Sequence, residues 1–318
     1  MKKYIVVLFL CFTTALMGCS VTDKGKSTNQ ETNKGKETNV EKPKAIEWIK
    51  QPFADYPEDP IALYDKGFLV NDGNKEGFMG PDGNLILEMK YKFQPCFMND
   101  AYGVMEGADG LVYLSQLLEV EGYAEGCWTG IVGPSVHYYY DSETKEISVI
   151  QNEMEDPTYK ISTVDEATAS KQIQADTYFL PVNLKIETKE NGEEVSSNEG
   201  YVLVLKGKLQ SDTVYEDLHM KKVMFRKHDV SEALNAVKKD GKWAIMDQEG
   251  TLLSDFVYEE ADVLNDRYVK VKKADSVGLF TKDKEEYLYS DITSITAPIK
   301  DVVFAKADGK WGLMKLAS

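Results

Sequence analysis

Along much of the chain, short runs of alternating apolar and polar residues are separated by turns rich in Asp, Asn and Gly. That period of two is the pattern of half-buried β-strands. Its clearest form is written twice, as "KKDGKWAIMDQEG" from Lys238 to Gly250 and "KADGKWGLMKL" from Lys306 to Leu316. Asp240-Gly241 predicts a hairpin turn, because both central positions of a type I′ turn need positive φ. On the outgoing strand Trp243 and Ile245 share one face, and Ala244 and Met246 share the other. A side chain as small as Ala244 beside a tryptophan marks close approach by a neighbouring backbone or a bulky group.

The spacing of these small residues is regular. Ala244 and Gly312 are 68 residues apart, and Gly278 of "DSVGLF" lies 34 from each. Nearer the start, Gly77 of "NKEGFMGPDG" and Gly110 of "GADGLVYLS" are 33 apart. Five units thus share one order: a valine-containing run, a polar turn, a large or polar residue, Gly or Ala, then apolar residues. A second turn follows in Pro81-Asp82-Gly83 and in Asp247–Gly250, and Tyr91 and Tyr258 each stand 14 beyond their small residue. A lone hairpin is marginal in water, so each unit must be covered by the next. The expected fold class is all-β, built mainly from antiparallel hairpin and meander repeats of about 33–34 residues.

Between Thr129 and Asp229 the pattern is less regular but still β-rich. "VHYYYDSETKEISVI" predicts a hairpin, and "TYFLPVNLKIET" and "YVLVLKGKL" predict strands joined by the polar loop "KENGEEVSSNEG". Only Val164–Ala175 has a helical pattern. From Gly110 to Ala244 is 134 residues, close to four periods, so eroded repeats and an inserted β-rich subdomain both fit.

These residues resemble the tryptophan–glycine (WG) β-repeat family of bacterial surface and exported proteins. The match is best from Val230 to Leu316 and weaker from Ile61 to Trp128. Trp311-Gly312 is the true pair; Trp243-Ala244, Val277-Gly278, Glu76-Gly77 and Asp109-Gly110 are variants of it. The resemblance implies an all-β repeat scaffold with binding or surface roles and no particular ligand.

The N-terminus suggests an address. Two lysines precede an apolar run from Tyr4 to Met17, which at 1.5 Å per residue covers about 21 Å, short of the ~30 Å needed to span. It reads as an export signal. Its end, Leu16-Met17-Gly18-Cys19, resembles the lipobox of bacterial lipoproteins, which implies lipidation of Cys19 and cleavage before it. A plain secretory signal with an incidental cysteine is the alternative. Residues 20–44 hold two valines and no other core-forming residue, so burial cannot offset the entropy of ordering them. They read as a tether reaching about 25–30 Å.

The resulting division is 1–18 signal, 19–45 lipidated cysteine and tether, 46–128 diverged repeats, 129–229 middle region and 230–318 C-terminal repeats. The chain carries a net charge of −16. The tether contributes +2, and the acidity of the remainder argues against nucleic acid as a partner. The expected location is the extracytoplasmic face of the cell membrane.

Chemical motifs are sparse. Cys96 and Cys127 follow tyrosines in matching slots of adjacent units, in a compartment where a disulfide persists; two buried thiols are the alternative. "DGNKEGFMGPDG" imitates a calcium loop at Asp72, Asn74 and Gly77 but places Gly83 where a bidentate glutamate is required. His137, His219 and His228 have no metal-ligand spacing, and no nucleophile elbow or phosphate loop occurs. "HYYYD" with Phe97 and Trp128 offers an aromatic platform, although strand aromatics more often face a core. No cofactor or metal is expected. The chain reads as a non-catalytic binding or interaction module for an envelope protein, peptide or glycan. An envelope hydrolase with its site in 129–229, or a structural part of an envelope complex, are the alternatives.

Overall fold

The computed structural model describes residues 44–95, 102–105, 111–120, 136–151, 177–189, 194–220 and 234–316. All belong to one compact unit, 42–318. The fold is nearly all β, in antiparallel sheets, as the alternating pattern requires.

Strand β1 (Glu47–Ala54) opens the described chain. A four-stranded meander follows, β2 (Ile61–Leu63), β3 (Gly67–Asn71), β4 (Glu76–Met79) and β5 (Leu85–Tyr91). Strands β6 (Gln94–Pro95), β7 (Tyr102–Met105) and β8 (Leu111–Tyr113) make the next sheet. They lead into a single helical turn, α1 (Leu114–Leu117).

In the middle region β9 (Val136–Asp141) and β10 (Glu146–Gln151) form the expected hairpin. Strands β11 (Thr177–Pro181), β12 (Lys185–Thr188), β13 (Glu194–Ser197), β14 (Tyr201–Leu205) and β15 (Lys208–Leu209) follow. β14 pairs with both β11 and β15, while β12 pairs with β13.

Three further sheets complete the fold. The first is β16 (Asp217–Met220), β17 (Asn235–Lys239) and β18 (Lys242–Met246). The second is β19 (Glu260–Val263), β20 (Tyr268–Lys273), β21 (Ser276–Thr281) and β22 (Glu286–Tyr289). The third is β23 (Ser294–Ile295), β24 (Val302–Ala307) and β25 (Lys310–Lys315), and its fourth strand is β1, antiparallel to β25.

The small residues occupy one setting. Gly77, Ala244, Gly278 and Gly312 stand on β4, β18, β21 and β25, opposite Val70, Val237, Val271 and Ala305 of the preceding strand. At the three glycines the next strand passes over the missing side chain. A Cβ on Gly77 would lie 2.9 Å from the Leu87 carbonyl oxygen, and one on Gly312 would lie 2.8 Å from that of Lys50. At Gly278 the Tyr287 carbonyl is closer still. The second turn also recurs: Gly83, Gly250 and Lys284 donate back to Gly80, Asp247 and Thr281, each reference residue three beyond its small residue.

Neighbouring sheets cover one another in the C-terminal part and on to the β2–β5 meander. Trp243 and Ile245 pack with Tyr258, Val269 and Phe280; Leu279 and Tyr289 pack with Val303 and Met314; Trp311 and Phe304 pack with Phe68 and Met79. Burying each such large side chain contributes about 2–3 kcal/mol.

Three local expectations are corrected. Helix α1 lies where only strand was expected, because Leu114 and Leu118, four apart, both reach the core and Gln116 accepts a bond from the Tyr113 N–H. The loop read after "TYFLPVNLKIET" contains β13. The strand read as continuous there is broken at Asn183, whose φ is 51° and whose side chain bonds Ser142 and Glu199. The helical pattern at Val164–Ala175 lies outside the described residues.

Candidate functional site

Strand β16 opens its sheet, and its alternation turns His219 toward the Trp243 ring, centroids 4.4 Å apart. The imidazole Nδ1 is 2.6 Å from the Ala261 carbonyl oxygen of β19. A carbonyl only accepts, so Nδ1 carries a proton. The same nitrogen is 3.4 Å from Asp262 Oδ1, and Asp262 Oδ2 is 3.4 Å from Lys270 Nζ. Lys270 Nζ is also 3.5 Å from Asp59 Oδ2, which accepts a 3.0 Å hydrogen bond from Ser294 Oγ.

This chain of contacts joins three sheets and the segment before β2. His219, Asp262 and Ser294 stand on β16, β19 and β23, each an edge strand of its sheet, and Asp59 lies just before β2. The side chains of His219, Asp262 and Asp59 remain 43%, 50% and 54% exposed. Lys270, caught between two carboxylates, is 23% exposed. The groups are therefore positioned yet reachable from solvent.

Beside them is a cleft of about 360 Å³. Its apolar lining is Val271, Ala274, Val277 and Ile292; Glu260, Asp262, Lys270, Lys272 and Asp275 supply charge, and Ser290 and Thr293 supply hydroxyls. Lys272 is 3.0 Å from Glu260. That hydrogen bond, followed by the charges of Glu260, Glu259 and Asp275, raises the Lys272 pKa above its ordinary value.

Apart from His219 and the Trp243 ring beneath it, the residues singled out by sequence fall elsewhere. Trp243 is buried, with His219 on its face and Lys238 Nζ 5.7 Å from its ring centroid. Trp311 is buried in a different core, with Lys306 Nζ 5.5 Å from its ring centroid. Cys19, Cys96, Cys127 and Gly110 lie outside the described residues, as do Phe97 and Trp128. Tyr140 of "HYYYD" is core. In the calcium-like loop, Asp72 Oδ1 accepts from the Asn74 and Lys75 N–H groups, and these bonds hold its carboxyl below the usual range.

A second polar contact is buried more deeply. The Tyr258 hydroxyl donates to Glu286, which also pairs with Lys273 at 3.1 Å, tying β22 to the segment after β18. At the start of β4, Glu76 accepts from the Phe93 N–H. Burial pushes the Glu76 carboxyl up; the Phe93 bond offsets part of this and the Glu58 charge adds to it.

No family model and no curated protein sequence matches the chain. Among solved structures, it is similar to PorZ, described as an essential bacterial surface component of the type-IX secretion system of Porphyromonas gingivalis. The identity is 10% and the TM-score 0.36, over 85% of this chain and 38% of PorZ. A structure described as a eukaryotic initiation factor overlaps at 10% identity and TM-score 0.27, over 80% of this chain and 72% of that one. Overlaps this loose bear on neither site nor activity.

Proposed function

We propose that this protein is a lipid-anchored, extracytoplasmic binding module of the cell envelope, built from diverged tryptophan–glycine repeats. Cys19 carries the lipid, and residues 20–44 tether the β unit to the membrane. Its ligand is an envelope protein, peptide or glycan. The observation that carries the binding reading is the Asp59–Lys270–Asp262–His219 chain beside an open cleft. Two sheets and the segment before β2 bring half-exposed polar groups to one place, which packing alone does not require. The arrangement favours holding over turnover. His219 Nδ1 is committed to the Ala261 carbonyl, and the Ser294 hydroxyl donates to Asp59 rather than meeting the imidazole.

The test is a thermal-shift screen of the purified protein against wall fragments, glycans, peptides and divalent ions, with product analysis on every polymer. Stabilisation by one class without turnover, lost in Asp262→Asn, is the expected result. Turnover of a wall polymer, abolished by changes within 129–229, would replace the module with a hydrolase.

A further inference from the structure

We propose that the outer edge of β5 pairs with the same edge of a second copy of this chain, antiparallel and about a two-fold axis at Met89. This association is independent of the ligand proposed above. In each regular repeat one strand passes over the small residue: β5 over Gly77, β22 over Gly278 and β1 over Gly312. Each stands at the edge of its sheet, where a row of backbone N–H and C=O groups offers a template to another strand. Two of these edges are blunted. The Lys44 N–H donates to the Leu288 carbonyl on β22, and β1 contains Pro52, which has no N–H to give. Strand β5 has seven residues and no proline, and its outward backbone groups meet no partner among the described residues. It also carries Leu85 and Ile86, 46% and 51% exposed, and Ile86 is the most exposed large hydrophobic residue among those described.

Charge selects the occupant and the register. The Leu87 carbonyl oxygen and the Met89 nitrogen would lie 2.9 and 3.1 Å from a Cβ on Gly77, so the odd-numbered residues turn their backbone groups to β4. Alternate residues of a strand turn theirs to opposite edges, which leaves Ile86, Glu88 and Lys90 to bond outward. Two antiparallel copies related by a two-fold must then match even residues with even ones, so the axis passes through a residue. At Glu88 or Lys90 the axis would set like charges directly opposite each other. At Leu87 it would set Glu88 against Ile86 and Lys90 against Asn84. At Met89 it sets Glu88 against Lys90 twice, and Ile86 against the methylene stem of Lys92. Glu88 and Lys90 are both exposed and make no ion pair among the described residues; Lys90 Nζ rests 5.2 Å from the Tyr91 ring centroid. The edge is thus complementary to itself, as an interface between identical surfaces requires.

Sedimentation velocity on the purified full-length protein reads the association. The protein should form a reversible dimer that salt weakens. Glu88→Lys and Lys90→Glu should each weaken it about tenfold. The double variant Glu88→Lys/Lys90→Glu should restore it, a recovery that damage to the fold would not allow. Mixed in equal amounts, the two single variants should pair with one another more tightly than either pairs with itself. Under mild oxidation Met89→Cys should give a disulfide-bonded homodimer beyond any that the unaltered protein forms through its own cysteines. Ile86→Cys, placed opposite Lys92, should not. A monomer at every concentration overturns the proposal, and so does a dimer that none of the charge variants alters. Cross-linking as ready at Ile86→Cys as at Met89→Cys overturns the two-fold at Met89.

Discussion

The Lys50 carbonyl oxygen lies where a Cβ on Gly312 would come within 2.8 Å of it, so the first strand crosses the last hairpin directly over its missing side chain. The relationship repeats Leu87 over Gly77 and Tyr287 over Gly278, with one difference. In those sheets the covering strand follows the small residue in sequence. Here it comes from β1, whose register slips between Trp48 and Lys50 and again between Lys50 and Ala54.

Steric and conformational glycines should separate cleanly. Gly278→Ala forces a methyl against the Tyr287 backbone, which cannot yield as a side chain can, and should cost about 3 kcal/mol. Gly241→Ala meets nothing within 4 Å, but its φ of +73° should cost about 1 kcal/mol. Urea denaturation of both variants reads the difference.

Removing residues 44–54 should uncover the β25 edge and strip Trp48, Phe53 and Ala54 from two cores. The lost burial, about 4 kcal/mol, should lower Tm by about 10 °C. The freed edge should also promote association, visible by size-exclusion chromatography.

Glu76 should report on acid. Its folded-state pKa is raised above 4.5, so the stability it contributes is present below that value and is lost as pH rises through the folded pKa. Glu76→Gln keeps an oxygen for the Phe93 N–H and removes the charge. It should stabilise by less than about 1 kcal/mol at pH 7, the gain vanishing near pH 4. Thermal melts across that range check it.

Burial, then the bond to Glu286, raises the Tyr258 pKa far above 10.0. With the folded value above the unfolded one, its contribution is present below pH 10 and is lost at more alkaline pH. Tyr258→Phe should cost about 1–2 kcal/mol at pH 7 by leaving Glu286 one donor short. It should also flatten the alkaline limb of the stability curve. The Tyr287 hydroxyl, bonded to Glu285 and pushed up to about 12, provides a second late-titrating phenol in absorbance at high pH.

For the proposed anchor, Cys19→Ala should release the protein from membranes or stall it as precursor. Fractionation and intact mass decide; unchanged membrane retention with an unchanged acyl mass would remove the lipid from the account.

The C-terminal hairpins were legible because their determinants are local. Asp240-Gly241 and Asp308-Gly309 take positive φ at both turn positions. Helix α1 was missed because "LVYLSQLL" carries apolar residues at strand and helix spacing alike, and contacts to Phe93 and Leu63 decide between them. Strand β13 was missed because "EVSS" is polar and needs only β12 as a partner. His219 had no ligand-like spacing to betray it: Asp262 meets it from another sheet, Lys270, Asp59 and Ser294 extend the contacts from there, and Ser294 and Asp59 are 235 residues apart.

Alternation, turn chemistry and a spacing of 34 are properties of neighbouring residues, and they determined by themselves that this chain folds as short antiparallel ribbons with small residues at fixed places. Which ribbon meets which was settled only in three dimensions. Many strands of similar pattern are interchangeable on paper, so it took the packing of whole sheets to give β25 its partner and bring Asp59 to Lys270. The candidate site exists because of those distant pairings, and no stretch of sequence contains it.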